Sequence, residues 1–149
     1  MGEDTLISTA CGRRLRCRGM DARGAWAKGF AQLENDGCFI IDEDTREKVA
    51  VAAATCGQDT GLDDKGGTAV FEGDILEDAH GHRVAVLHAA DSPEFVGVSD
   101  FAWSLRRPRP ARFAALWLAN NVRDMSVVGN IHENPSLMDV PLAGYGGMH

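Results

Sequence analysis

Apolar and polar residues alternate with a period of two along the first third of the chain, which is the pattern of half-buried β-strands. The alternation begins at Leu15 to Arg18, and Gly29 in the next run indicates a bulge or a close backbone approach. Asn35-Asp36-Gly37 is a strong hairpin signal, because these residue types adopt positive φ at low cost. The pattern predicts a β-meander over residues 12–56. Its strands are expected near residues 15–18, 26–30, 38–41 and 49–51.

The second half of the chain continues the strand pattern and adds one helix. Val70 to Leu76 contains Gly73-Asp74, where Gly suits a tight backbone and the Asp carboxylate accepts neighbouring backbone N–H groups. Small SH3-like barrels often begin a strand in this way. Apolar residues at i, i+3 and i+4 from Phe113 predict a short amphipathic helix around residues 111–120, with Trp117 in the core. Further strands are expected at residues 83–88, 95–98 and 127–128.

Residues 57–67 are dense in turn formers and predict a connecting segment between two small modules. The segment has no Gly-Lys-Ser/Thr for a P-loop, and Gly61-Leu62 interrupts the oxygen ligands that an EF-hand requires. We therefore expect a mostly β fold of two barrel-like, SH3-like modules with one short helix. The expected modules are residues 12–60 and 61–138, with flexible ends at residues 1–11 and 139–149.

The chain of 149 residues has a formal net charge of −7 and a pI near 5.1, so its surface repels phosphate backbones. Direct, sequence-independent binding to nucleic acid is not expected. No apolar run approaches the length of a membrane span, and the acidic start at Met1 to Thr5 lacks the apolar region of a secretory signal. The cytoplasm is the predicted location.

Four cysteines occur without a C-x-x-C pair, the spacing that usually marks zinc and redox sites. Cys17 and Cys38 lie in strand-like apolar runs, where a thiol packs as a small hydrophobic group. We expect reduced structural thiols and no metal or cofactor.

Three stretches of the sequence carry motifs that occur together in one family. They are residues 17–30, with R-G-x and W-x-x-G-aromatic, residues 60–75, with T-G-L-x-D-K and F-E-G-D-I, and residues 128–137, with G-N-I-H-E-N-P-x-L. Together these stretches resemble the YopX family of phage and prophage proteins. Gly66 stands where the family usually has Asn, and residues 106–123 are particular to this chain. The resemblance implies a β-rich fold with barrel-like halves, a phage or prophage origin and self-association into a homo-oligomer. It implies no reaction and no catalytic residues.

No nucleophile with a nearby base, and no other catalytic signature, marks the sequence. His80 and His82 at alternate positions are interpreted as solvated turn residues rather than half of a metal site. His88 and His132 are interpreted as core or edge histidines. The acidic pair Asp63-Asp64 lies in a turn, where solvated carboxylates are expected. These patterns do not favour an enzyme.

A basic, proline-containing stretch in this acidic chain is the one candidate binding segment. Arginine presents a planar set of donors that suits phosphates and carboxylates, and a Trp beside it can stack on a base or on Arg. The alternative is a solvated loop whose arginines pair with the chain's own acids. The candidate binding residues are Trp103, Arg106, Arg107, Arg109 and Arg112.

The favoured function is a non-enzymatic binding module used in phage counter-defence, which inhibits a host defence protein or sequesters a nucleotide signal. One alternative is an acidic DNA mimic that inhibits a DNA-binding host protein, although the acids here are scattered through turns. Another alternative is an enzyme that modifies a small nucleotide, with a site assembled from residues distant in sequence.

Overall fold

A computed structural model describes residues 16–89, 94–100, 103 and 113–139, and for residues 113–116 it describes the backbone alone. The predicted flexible ends lie outside these residues, apart from Asp139. Contacts within the chain divide it into two compact units, Met1–Asp59 and Thr60–His149.

The first unit is an antiparallel meander, as its alternating sequence predicts. The order of its strands is β4-β3-β2-β1-β5, so the chain returns through β5 to pair with β1. Asn35 and Asp36 form a two-residue hairpin loop, because Glu34 is paired directly with Gly37. The strands are β1 (Arg16–Met20), β2 (Trp26–Glu34), β3 (Gly37–Asp42), β4 (Lys48–Val51) and β5 (Gly57–Asp63), and a 3₁₀ turn, Ala53–Thr55, precedes β5.

Strand β5 corrects the prediction that residues 57–67 form a connecting turn. Gly57 and Gln58 pair with Arg18 and Cys17 of β1, and Thr60 donates its hydroxyl hydrogen to the carbonyl of Val70 on the following strand. The turn itself is short and begins at residue 64. The error arose because a strand with neighbours on both sides is stabilised by their ladders and does not need strand-forming residues of its own.

The second unit contains a four-stranded antiparallel sheet in the order β10-β7-β8-β9, and β6 is the hydrogen-bonded neighbour of β5. Strand β8 is buried on both faces: Val84 and Val86 contact Leu118 and Val122, while Ala85 contacts the cluster that holds Met138. The shared face of Val84 and Val86 was predicted. The strands are β6 (Ala69–Phe71), β7 (Asp74–Glu77), β8 (Arg83–His88), β9 (Phe95–Ser99) and β10 (Ser126–Asn130). Two 3₁₀ turns, Val122–Asp124 and Pro135–Met138, flank β10.

The helix spans Phe113–Asn121, which confirms the element predicted around residues 111–120. The prediction of a core Trp117 is wrong, since 45% of that residue is exposed while Leu118 is fully buried. Leu118 and Val122 lie one turn apart and form the buried stripe, which leaves Trp117 to one side of it. The Trp117 ring covers Gly97 of β9, where a Cβ would lie 3.2 Å from Cζ3.

The protein is therefore mostly β, with barrel-like modules and a short helix, as the sequence predicts. Within the part of the chain that the structure describes, no helix is long and apolar enough to cross a membrane.

Replacement of Gly29 by Ala is expected to lower the free energy of unfolding by about 3 kcal/mol, because backbone atoms cannot move aside at low cost. A Cβ at this position would lie 1.8 Å from the carbonyl oxygen of Ile41, which confirms the predicted close backbone approach. Gly66→Ala is the matched control, since its nearest neighbour would be 3.6 Å away. Urea denaturation of the two variants measures the difference, and equal midpoints would contradict the packing argument.

Candidate functional site

The strand register of the first unit places its basic and aromatic side chains on one face of the sheet. Side chains alternate between the two faces of a strand, so directly paired residues share a face. The pairs Arg18 with Lys28, Met20 with Trp26 and Phe30 with Ile41 therefore extend a single surface across three strands. We call it the cationic–aromatic face. It consists of Arg16, Arg18, Trp26, Lys28, Phe30, Phe39 and Lys48.

The opposite face of the same sheet carries the core of the first unit, which is built from small side chains. Cys17, Ala27, Ala31 and Ile40 are buried there. The three aromatic rings of the cationic–aromatic face, by contrast, are only partly buried. The first unit thus buries small and aliphatic side chains and leaves its aromatic rings in partial contact with solvent, where a ligand can reach them.

The rings of Trp26 and Phe39 are each in contact with a cation. The guanidinium carbon of Arg18 lies 4.5 Å from the centroid of the Trp26 ring, and the ammonium of Lys48 lies 4.5 Å from that of Phe39. A cation at this distance is attracted to the ring's negative face. Arg18 is only 7% exposed, so packing as well as charge fixes its position against Trp26. Rings and charges are therefore positioned before any ligand arrives.

Ion pairs fix the rim of the face. Arg16 makes a two-point contact with Glu43, Nε and Nη2 each donating over 2.8 Å, and Nη1 donates to Asp59 over 3.2 Å. The hydrogen bonds to Glu43 raise the pKa of Arg16, and the Arg16 guanidinium in turn lowers the pKa of Glu43. Lys48 lies 2.8 Å from Glu34 and lowers the pKa of that carboxyl.

The face combines the two contacts that a nucleotide requires. Aromatic rings stack on bases with little regard to base identity, and arginine or lysine beside them binds phosphate. Four cations meet three carboxylates here, in a chain whose net charge is −7. The seven residues that define the face therefore supply aromatic rings and cations, the groups that bind a base and a phosphate.

Asp64, in the second unit, is buried and bonded to the backbone, which corrects the expectation of a solvated Asp63-Asp64 pair. One carboxylate oxygen accepts the N–H groups of Gly66 and Thr68, and the other accepts that of Val127 on β10, each over 2.9 Å. Burial raises the pKa of Asp64. The hydrogen bonds from these N–H groups lower that pKa by a larger amount, so the net pKa is below the ordinary value.

The Gly73-Asp74 turn holds its acid in the same way, as the sequence predicts. Asp74 is 2% exposed and accepts the N–H of Phe71 over 2.7 Å. Gly73 has a φ of 94°, donates its N–H to Val86 and accepts the N–H of Ile131. The turn is thereby fixed between β8 and the segment after β10.

Asn130 organises the loop that follows β10. Its side-chain oxygen accepts the N–H groups of His132 and Glu133, and its amide donates to the Glu133 carboxylate over 2.8 Å. The Asn134 side-chain oxygen accepts the N–H of Asn130 and would lie 2.6 Å from a Cβ on Gly129. Polar residues in the second and third YopX-like stretches thus satisfy backbone groups.

The residues that the sequence analysis considered for a site differ in their surroundings. Trp103 is partly buried against two apolar clusters that include Leu87 and Ile75. His80 and His82 are exposed in the turn where Asp78 accepts their backbone N–H groups, which confirms their interpretation as solvated turn residues. The remaining candidates, Arg106, Arg107, Arg109 and Arg112, lie outside the described residues.

Glu72 and His88 form a partly buried pair, with Oε1 and Nε2 3.7 Å apart. The His88 ring packs against Phe95 with a centroid distance of 4.4 Å. His132 is partly buried beside Gly73. No group of three or more His, Cys, Asp or Glu side chains among the described residues is arranged to hold a metal ion.

The sequence contained part of the signal for the cationic–aromatic face. Trp26, Lys28 and Phe30 alternate on β2, so their shared side can be read directly from the sequence. What joins them to Arg18 and Phe39 is the register between strands, and that register depends on the turns that connect the strands.

We expect Asp64→Asn to cost about 1–3 kcal/mol of stability near neutral pH, because an amide offers one acceptor oxygen where the carboxylate offers two. The lowered pKa makes this stabilisation complete above the unfolded value of about 4, and it is lost as the pH falls through the folded pKa. The free energy of unfolding of Asp64→Asn should therefore fall less steeply than that of the natural chain as the pH is lowered. The control Asp63→Asn removes an equal charge from an exposed position. Urea midpoints across the acid range test this, and parallel curves for the two variants would contradict it.

The comparisons with known proteins agree with the sequence resemblance. No curated protein matches the chain. The profile of a family described as YopX protein matches residues 25–139, which is well over half of the chain and includes all of β2 to β10. The chain therefore belongs to the YopX family.

Proposed function

We propose that this protein is a non-enzymatic binding module of a phage or prophage, and that it acts in the bacterial cytoplasm by sequestering a nucleotide signal of host defence. The cationic–aromatic face of the first unit is the observation that carries the proposal. Membership of the YopX family supports the phage setting, in which small folded proteins oppose host defences.

The charge of the chain favours a small nucleotide over a nucleic acid polymer. A polymer brings a long row of phosphates towards a chain of net charge −7, and the repulsion grows with each phosphate. A single nucleotide needs only a ring and one or two cations, which the partly exposed rings of Trp26 and Phe39 and the exposed Lys28 and Lys48 supply. Direct binding to a nucleic acid polymer is therefore not expected.

The placement of the acids supports a binding module over an acidic DNA mimic. A mimic needs carboxylates in a regular row that resembles phosphates. Asp21, Asp42 and Asp78 each accept N–H groups within their own turn. Hydrogen bonds to Ala25 and Arg23 lower the pKa of Asp21, and those to Thr45 and Asp44 lower that of Asp42. Such acids form separate turns of the chain and do not line one element.

The buried polar residues of the second unit support a non-enzymatic function, because they too accept hydrogen bonds from the backbone. Asp64, Asp74 and Asn130 are buried polar residues of the kind that often serve in catalysis, yet each bonds to backbone N–H groups of the surrounding turns. Groups held in this way support the fold.

The double variant Lys28→Glu, Lys48→Glu is expected to weaken nucleotide binding at least about tenfold, because reversing two charges on the face removes attraction for phosphate and adds repulsion. Both side chains are exposed, so loss of the Lys48–Glu34 ion pair should lower the thermal midpoint only slightly. Titration calorimetry with ATP, cyclic di-AMP and ADP-ribose, each added separately, provides the measurement.

The matched control is Lys65→Glu, Arg123→Glu, which makes the same change of charge at exposed positions of the second unit. Equal weakening in both double variants would indicate a general charge effect and contradict the assigned face. Absence of binding by the natural chain would direct attention to a host protein as the target. Conversion of a probe into a product would favour the nucleotide-modifying enzyme.

We also propose that the protein is a homo-oligomer. The family resemblance implies self-association, and β4, β9 and β10 end their sheets with edges that a second copy can cover. Light scattering after size exclusion is expected to give a multiple of the 16.0 kDa chain mass. A monomer mass at micromolar concentration would rule out this part of the proposal.

A further inference from the structure

Two cysteines of the first unit lie close enough to react with each other. The Sγ atoms of Cys38 and Cys56 are 3.0 Å apart. Cys38 lies on the core face of β3 and is 8% exposed, whereas Cys56 is partly exposed between the 3₁₀ turn Ala53–Thr55 and strand β5. Eighteen residues separate the two along the chain, so no short cysteine motif marks them.

We infer that Cys38 and Cys56 are a site of reversible disulfide formation, whose oxidant is a small-molecule disulfide such as oxidised glutathione. A disulfide bond is about 2.0 Å long, so the two sulfur atoms must approach by about 1 Å. This inference is independent of the proposed nucleotide binding.

The more exposed thiol begins the reaction. The Cys56 thiolate attacks one sulfur of oxidised glutathione, the S–S bond of the oxidant breaks, and one glutathione leaves as a thiolate. The Cys38 thiolate then attacks the Cys56 sulfur of the mixed disulfide and expels the second glutathione. Two electrons pass from the two cysteines to the oxidant, and the two protons end on the two released glutathione thiols.

The backbone around Cys56 can make the required movement more readily than that around Cys38. Strand β3 is paired along both edges, with β2 and with β4. The segment before Cys56 is a largely exposed 3₁₀ turn outside the ladders, and two hydrogen bonds hold it to Met20 of β1. Ala52 donates its N–H to the carbonyl of Met20, and Thr55 Oγ1 accepts the N–H of Met20. A shift of about 1 Å there breaks no sheet ladder.

Among the cysteines that the structure describes, Cys17 is the competing partner, because it belongs to the apolar cluster against which Cys56 packs. It is 4% exposed on β1, which pairs with β2 on one side and β5 on the other. The short distance between Cys38 and Cys56 selects that pair, and Cys17 then stays reduced.

The bond would connect β3 to the start of β5 and close a loop that contains β4. A cross-link that closes a loop of this length restricts the unfolded chain. For a chain of this size the thermal midpoint is expected to rise by roughly 6–12 °C. Strand β4 lies at the end of its sheet and gains most, because it is the element inside the closed loop.

The test treats the full chain with oxidised glutathione and determines intact mass, non-reducing peptide maps and the thermal midpoint. The expected product has lost two hydrogens, contains a peptide pair joined through Cys38 and Cys56, and returns to the starting midpoint when dithiothreitol is added. The variant Cys17→Ser should behave like the natural chain, while Cys56→Ser and Cys38→Ser should form no internal disulfide.

Three results would overturn the assignment: a map that joins Cys17 to Cys56, a glutathione adduct that persists at Cys56 in the natural chain, or an oxidant-treated chain with unchanged mass. Cys56→Ser keeps the test valid even if Cys38→Ser folds poorly, because Cys56 is the more exposed member of the pair. The midpoint rise must also be absent in Cys56→Ser, since a rise there would assign the stabilisation to another effect.

Discussion

The carboxylate of Asp64 is the interaction on which the second unit depends most directly. The β5–β6 turn exposes backbone N–H groups that no strand can pair, and burying them without acceptors would cost more than most single contacts contribute. Asp64 accepts the N–H groups of Gly66 and Thr68 within that turn and that of Val127 on β10. A single buried side chain therefore closes a local turn and attaches a strand that lies 63 residues further along the chain. Asp74 repeats this solution at the turn before β7, and Asn130 repeats it in the loop after β10.

This use of polar residues bears directly on function. Buried acids and amides are the usual candidates for a site, and in this unit the backbone has already satisfied them. The first unit is arranged differently. Its buried core contains Cys17, Ala27, Ala31 and Ile40. Because side chains alternate along a strand, the rings on β2 and β3 lie on the other face, with Arg18 and Lys48 in contact with them. The division between a unit stabilised by polar turns and a sheet with an aromatic surface is the physical basis of the proposed function.

Most of the fold could be predicted from the sequence because its strands are amphipathic and its turns carry Asn, Asp and Gly where positive φ or a side-chain acceptor is needed. Strand β5 escaped prediction because its residues are typical of turns and its conformation is imposed by β1 and β6. The prediction for Trp117 was wrong because the i, i+3, i+4 spacing identifies an apolar side of the helix but does not show which side packs against the sheet. Leu118 and Val122 form the side that is buried. The cationic–aromatic face required pairings between strands, which no single segment encodes. Asp63 and Asp64 cannot be distinguished from the sequence, because both are acids in the same predicted turn. Only the folded chain shows that the three N–H groups donate to Asp64.

The two faces of β3 connect the core with the proposed binding surface. Cys38 and Phe39 are neighbours in sequence and therefore point to opposite sides of the sheet. Phe39 contacts Lys48 of β4, and Cys38 is paired in register with Val51 of the same strand. A bond from Cys38 to Cys56 on the core side would thus restrain the two strands that hold a ring and a cation on the opposite side. Ligand binding costs less conformational entropy when the groups that contact the ligand are already held in place. The disulfide would therefore raise the affinity of the binding surface for a ligand, although neither cysteine lies on that surface. Adjacent residues of β3 therefore have different roles. Phe39 lies on the proposed binding surface, and Cys38 on the core side can form a bond that makes the strand beneath that surface more rigid.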